Sequence, residues 1–148
     1  LASEAVWALP VAWSAPSAPA TPALRVLCVD PSALDALLLQ EVGEIQGCAV
    51  RVQHASDAAS AWAALRGERP DLILVNPYVH DAEWRTLVAQ LARLQSAPVW
   101  VWGGGGSLGE REDALASGAA VYLTKPSGYD GYAQLLGSMR RDVTSRAD

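Results

Sequence analysis

Five short apolar runs, each followed by a stretch with helical spacing, constrain this chain more than any other feature. Residues 25–30 (RVLCVD), 71–76 (DLILVN) and 99–102 (VWVW) are continuous apolar runs rich in β-branched residues. Such runs suit strands covered on both faces. Residues 49–54 alternate, and residues 120–124 form a fifth short run. Between them, Leu34, Leu37, Leu38, Glu41, Val42 and Ile45 recur at helical spacing, with Ser32 as the expected cap and Gly47 as the stop. Ser56 is expected to cap a helix over 57–66, with Ala59, Trp62, Ala63 and Leu65 inward. Trp84, Leu87, Val88, Leu91 and Leu94 mark one face of a helix near 81–95. A modest helix follows at 108–117, closed by Gly118, and a last one at 129–141. Strands alternating with helices predict a parallel sheet with helices on both faces, an α/β doubly wound fold. Function in such sheets gathers at the carboxyl ends of the strands. Here those ends carry Asp30, His54, Asn76, Gly103 and Lys125.

Composition narrows the function classes. The 148 residues are 51% hydrophobic and 18% charged, enough for a real core. The net charge is −5 with no basic run, which argues against direct nucleic-acid binding. No apolar run approaches the roughly 20 residues of a membrane span. Cys28 and Cys48 have no metal or redox spacing and read as reduced structural thiols in a cytoplasmic protein. His54 and His80 share no metal-ligand spacing, and no catalytic triad is readable, so no enzymatic activity is expected. Lys125 is the only lysine among eleven Lys and Arg residues, a bias that suggests a GC-rich bacterial genome.

Residues 1–24 form a separate region with eight Ala, four Pro and one charge, Glu4. It lacks the basic start and the apolar core of a signal peptide. It reads either as a linker or as an arm whose Trp7 and Trp13 pack on its own domain or on a second copy. The expected organisation is this arm, a domain over 25–142 and a short tail over 143–148. Such a chain is either a stand-alone module or the front of a larger protein.

The strand ends together resemble a response-regulator receiver domain over about residues 25–141. The matching pieces are LRVLCVDPS, RPDLILVN, APVWVW and, most specifically, SGAAVYLTKP, in which Lys125 occupies the family's lysine position. The resemblance implies a flavodoxin-like sheet of strand order 2-1-3-4-5 and a cis bond between Lys125 and Pro126. It also implies a chemistry: phosphoryl transfer to an aspartate after the third strand. An acidic pair after the first strand helps to hold Mg²⁺, and a hydroxyl after the fourth strand and the lysine contact the phosphoryl oxygens.

This chain departs from that pattern. Asn76 stands at the phosphoacceptor position, and an amide is a very poor nucleophile. Pro31 replaces one of the acidic pair, leaving Asp30, so the site carboxylates fall from three to one. Gly103 replaces the hydroxyl residue, and His80 and Trp84 replace the usual Pro and Gly of the next loop. The expectation is a degenerate phosphorylation site formed by Asp30, Pro31, Asn76, Gly103 and Lys125, with Asp30 and Lys125 free to pair. Mg²⁺ binding should be weak or lost, and no other cofactor is expected.

The chain would then act in two-component signalling as an atypical receiver, by phosphorylation-independent contact with a partner protein or a second copy. The expected surface is the fourth helix, fifth strand and fifth helix, with Arg111, Tyr122, Tyr129, Tyr132, Arg140 and Arg141 on or near it. Tyr122 falls on the family's switch aromatic, either as a switch or as a fixed interface or surface aromatic. The alternative is a flavodoxin-like module for a small molecule or phosphate. It would use Tyr78, Trp100 and Trp102 for stacking and the glycine run 103–106 for backbone N–H groups.

Overall fold

A computed structural model describes residues 22–103 and 108–147. Trp7, Trp13 and the glycines at 104–106 lie outside the described residues. The chain alternates β1 (Leu24–Val29), α1 (Leu34–Ile45), β2 (Val50–Ala55), α2 (Ala58–Leu65), β3 (Leu72–Val75), α3 (Trp84–Leu94), β4 (Val99–Gly103), α4 (Leu108–Ser117), β5 (Val121–Thr124) and α5 (Tyr129–Ala147). All five strands pair in parallel, in the order β2-β1-β3-β4-β5. The flavodoxin-like α/β fold is therefore as expected. The last helix is longer than expected: it continues through the stretch taken as a tail, and Val143 packs against the core.

Alternation along the strands divides the core in two. Leu27, Val29, Ile73, Val75, Val99 and Val101 face α2, α3 and α4. Leu24, Val26, Cys28, Leu72, Leu74, Trp100 and Trp102 face α1 and α5, meeting Leu39, Leu135, Leu136 and Met139. Trp100 and Trp102 are thus core residues, and a stacking role for them is lost. Their indole N–H groups have no hydrogen-bond partner among the described residues.

The helix ends differ in detail from the expected pattern. The cap of α2 is Asp57, not Ser56: its carboxylate accepts from Ser60 N at 2.8 Å. Asp81, in the loop after β3, reinforces that end by accepting from Ala58 N and Ala59 N at 2.9 and 3.0 Å. Ser32 accepts from Leu34 N at 3.2 Å, although the residue at the start of α1 is Ala33. Gly47 and Gly118 end α1 and α4 with φ of 70° and 117°, a region that glycine enters at little cost.

The buried face of α1 is also not the expected one. Ala36, Leu39, Val42 and Gly43 point inward, while Leu34, Leu37 and Ile45 are exposed. Close approach selects this phase. A Cβ at Gly43 would fall on Val50 Cγ1 and stand 3.5 Å from Leu136 Cδ1, so only glycine lets α1 sit this near β2. Gly43→Ala is therefore expected to cost about 1–3 kcal/mol, as overpacking does in a dense core. The urea unfolding midpoint measures it, and an unchanged midpoint would mean that α1 shifts freely on the sheet. On α3, Leu94 likewise faces solvent, while Leu87, Val88 and Leu91 are buried.

Candidate functional site

Three strand ends converge. Asp30 follows β1 and Asn76 follows β3, where its N–H donates to Val29 O at 2.8 Å. Lys125 follows β5, and its N–H donates to Gly103 O at 2.8 Å. Asp30 is 1% exposed and Asn76 4%, and they are the buried polar or charged residues among those described. Burial at such a cost requires partners, and both have them. Asp30 Oδ1 accepts from Ser32 N at 2.8 Å, and its Oδ2 accepts from Asn76 Nδ2 at 3.1 Å. Asn76 Oδ1 accepts from Tyr78 N at 2.7 Å. His54 Nε2 lies 2.7 Å from Asp30 O.

Lys125 is bound on two sides. Its Nζ stands 2.8 Å from Asp30 Oδ2 and 2.7 Å from Asp35 Oδ2, with the Trp102 ring 5.4 Å away. Asp35 sits in the first turn of α1, and its Oδ1 accepts from Tyr132 OH at 2.7 Å. The site thus holds two carboxylates, not one: Asp35 lies 90 residues from its lysine in sequence, outside every motif that pointed to the site.

The charges are mutually stabilised. Burial pushes the Asp35 carboxyl up, but hydrogen bonds from Lys125 and Tyr132 and the lysine's charge outweigh it and leave the pKa below the ordinary value. Burial pulls Lys125 down, yet hydrogen bonds and the charges of Asp30 and Asp35 hold its pKa above the ordinary lysine value. Burial first, then the bond to Asp35, raises the Tyr132 phenol. Burial likewise drives the Cys28 thiol far above its usual range, so this cysteine is inert at neutral pH.

The remaining expected site residues are placed differently. The Lys125–Pro126 bond is trans, since no described peptide bond is cis. Trans is the lower-energy form of X–Pro bonds, and Lys125 reaches both carboxylates from it. Pro31 is exposed at the rim. At Gly103, the space a side chain would fill is taken: a Cβ there would stand 3.1 Å from Glu110 Oε1 and 3.7 Å from Tyr122 OH.

Those two atoms explain Tyr122. Its hydroxyl donates to Glu110 Oε1 at 2.8 Å, its ring belongs to the core, and Arg111 donates to its carbonyl at 3.4 Å. Tyr122 is therefore inward and buried, not a surface aromatic. Tyr132 is also buried, whereas Tyr129 and Arg111 are exposed. Two of the three tyrosines expected on or near the output face thus serve the interior.

Among the described residues no helix is long and apolar enough to cross a membrane. A family model described as the response regulator receiver domain matches residues 26–136, most of the chain. No curated protein matches the sequence. Among solved structures, a receiver domain protein from Methanospirillum hungatei JF-1 is 21% identical, with 85% of this chain and 98% of that chain covered and a TM-score of 0.70. A response regulator from Thermotoga maritima is 21% identical, covering 83% and 99%, with a TM-score of 0.71. A two-component response regulator from Clostridium difficile is 19% identical, covering 84% and 98%, also at 0.71. Sheet order and family model agree: the chain belongs to the response regulator receiver domains, the signalling modules of two-component systems.

Proposed function

We propose that this receiver domain signals without being phosphorylated, through contact with a partner protein or a second copy. The observation that carries this reading is the state of the site. Asn76 offers an amide where the reaction needs a nucleophilic carboxylate, and Lys125 is held between Asp30 and Asp35. Phosphoryl transfer needs positive charge free to meet the charge developing on oxygen. Here one ammonium faces two carboxylates, so the local charge is already negative before any phosphoryl group arrives.

Mg²⁺ does not fit this donor set. A hard cation needs carboxylate or carbonyl oxygens with free lone pairs. Asp30 Oδ2 faces Lys125 and Asn76 Nδ2, both Asp35 oxygens are engaged, and Asn76 Oδ1 takes the Tyr78 N–H. The contact face in this reading is formed by α4, β5 and α5. With Tyr122 and Tyr132 buried, it presents Leu108, Leu115 and Arg111 instead.

Incubation with acetyl phosphate and Mg²⁺, followed by intact mass measurement, tests the reading. No phosphate adduct is expected on this protein, and none on Asn76→Asp. That substitution would set a carboxylate against Asp30 and remove the donor Nδ2, so it should destabilise the fold by about 1–3 kcal/mol without restoring chemistry. A stoichiometric adduct that disappears in Asn76→Ala would overturn the proposal.

A further inference from the structure

We propose that Gln40 closes the β2 edge of the sheet against the β2 of a second copy, so that the domain does not extend its sheet through that edge. This inference does not depend on the loss of phosphorylation. In the order β2-β1-β3-β4-β5, β2 is an outer strand. Ala49 O accepts from Leu24 N and Ala55 O from Asp30 N, both at 2.9 Å. The backbone groups of residues 49, 51, 53 and 55 are therefore turned to β1. By the strand's period of two, those of Val50, Val52 and His54 are turned outward. A row of outward N–H and C=O groups is a template for another strand.

Gln40 occupies the middle of that row. Reaching from α1, its Nε2 donates to Val50 O at 3.0 Å and its Oε1 accepts from Val52 N at 2.8 Å. These are the donor and the acceptor that a next strand would bring. An amide suits this task, because a carboxylate lacks the donor and an ammonium lacks the acceptor. The same Nε2 donates to Glu44 Oε2 at 3.2 Å, which holds a charge beside the edge. Packing sets the amide in place: the neighbouring Leu39 is wholly buried, and Gly43 lets α1 lie close against β2.

The strand that fits this edge is its own copy. The outward set Val50, Val52 and His54 is symmetric about Val52. Two copies related by a two-fold axis would therefore pair antiparallel, with Val52 opposite Val52, Val50 opposite His54 and Arg51 opposite Gln53. No like charges then face each other along the two strands. Arg51 and Gln53 are both exposed, so nothing in the strand itself bars the pairing. What bars it is the Gln40 amide, seated where the incoming backbone would lie, with the Glu44 carboxylate next to it.

Sedimentation velocity of the full chain over a range of concentrations tests the proposal. Combining Gln40→Ala with Glu44→Ala removes the amide and the charge. It should add a species of twice the parent's mass that grows with concentration. Residue 53 then reports the contact, since it would face Arg51 of the other copy. In that background Gln53→Glu should tighten association about tenfold and Gln53→Arg should weaken it about tenfold, because the two-fold axis repeats the pair. A second measurement uses the parent alone and stands even if the double variant fails to fold. There hydrogen exchange should be at least about tenfold slower at Val52 N–H, which Gln40 holds, than at His54 N–H on the same edge. A double variant that keeps the parent's mass at every concentration would overturn the proposal. So would an association indifferent to the charge at residue 53, or equal exchange at Val52 and His54.

Discussion

Lys125→Met should destabilise the protein by about 3 kcal/mol at neutral pH, because it leaves two carboxylates facing each other without their shared cation. Methionine keeps much of the stem's apolar volume, so the loss isolates the charge. The value sits at the low end for a broken buried pair because the Lys125 side chain is 21% exposed.

The loss should depend on pH in a defined way. The folded-state pKa of Asp35 lies below its ordinary value, so its contribution is present above about pH 4 and fades as pH falls through the folded value. The folded-state pKa of Lys125 is raised, so its contribution is full below about pH 10.4 and fades as pH rises beyond that. The gap between parent and variant should therefore be widest between about pH 5 and 9 and narrow at both extremes. Urea unfolding followed by tryptophan fluorescence at pH 3, 7 and 11 reads it. A gap of equal size at all three would assign the effect to packing and not to charge.

The parts of this molecule that were legible in its sequence are those that depend on local pattern. Uninterrupted apolar runs such as LILV have one plausible place, inside a sheet covered on both faces, and β3 is buried at every position. The lone lysine after YLT pointed to the site because the parallel sheet brings all strand ends to one side. What depended on distance was not legible. Local pattern marks Asp35 as nothing more than an acid in the first turn of a helix. Only the folded sheet brings Lys125 to it from the end of β5 and Tyr132 from α5. The acid stands one turn from the strand end that carries Asp30, and that proximity was the available signal.

The phase of α1 failed for a different reason. LDALLL offers overlapping apolar stripes, and periodicity alone cannot rank them. Volume decided: the stripe with Ala36 and Gly43 is thin enough to lie against β2, and the richer leucine stripe was left outside. Tyr122 shows the same limit. Its missing hydroxyl partner was visible at Gly103, but its substitute, Glu110, comes from the first turn of α4. The empty side-chain position at Gly103 is what admits that carboxylate.

Asp30→Ala should cost about 3–5 kcal/mol, more than Asp35→Ala, although both acids bind the same lysine. Asp30 is almost wholly buried and holds three donors: Ser32 N, Asn76 Nδ2 and Lys125 Nζ. Its removal strands a buried amide and a backbone N–H together, each costing about 1–3 kcal/mol unless water reaches it. Asp35 is more open, with 17% of its side chain exposed, and its loss leaves Lys125 still paired with Asp30. Only the Tyr132 hydroxyl then lacks its acceptor, so about 1–2 kcal/mol is expected. Combined with Lys125→Met, Asp30→Ala should cost at least about 1 kcal/mol less than the sum of the two single changes, since each already breaks the shared contact. Equilibrium urea unfolding of the three single variants and this double variant decides the ordering. If Asp35→Ala proved the more costly, the anchor of the cluster would lie on α1 and not at the end of β1.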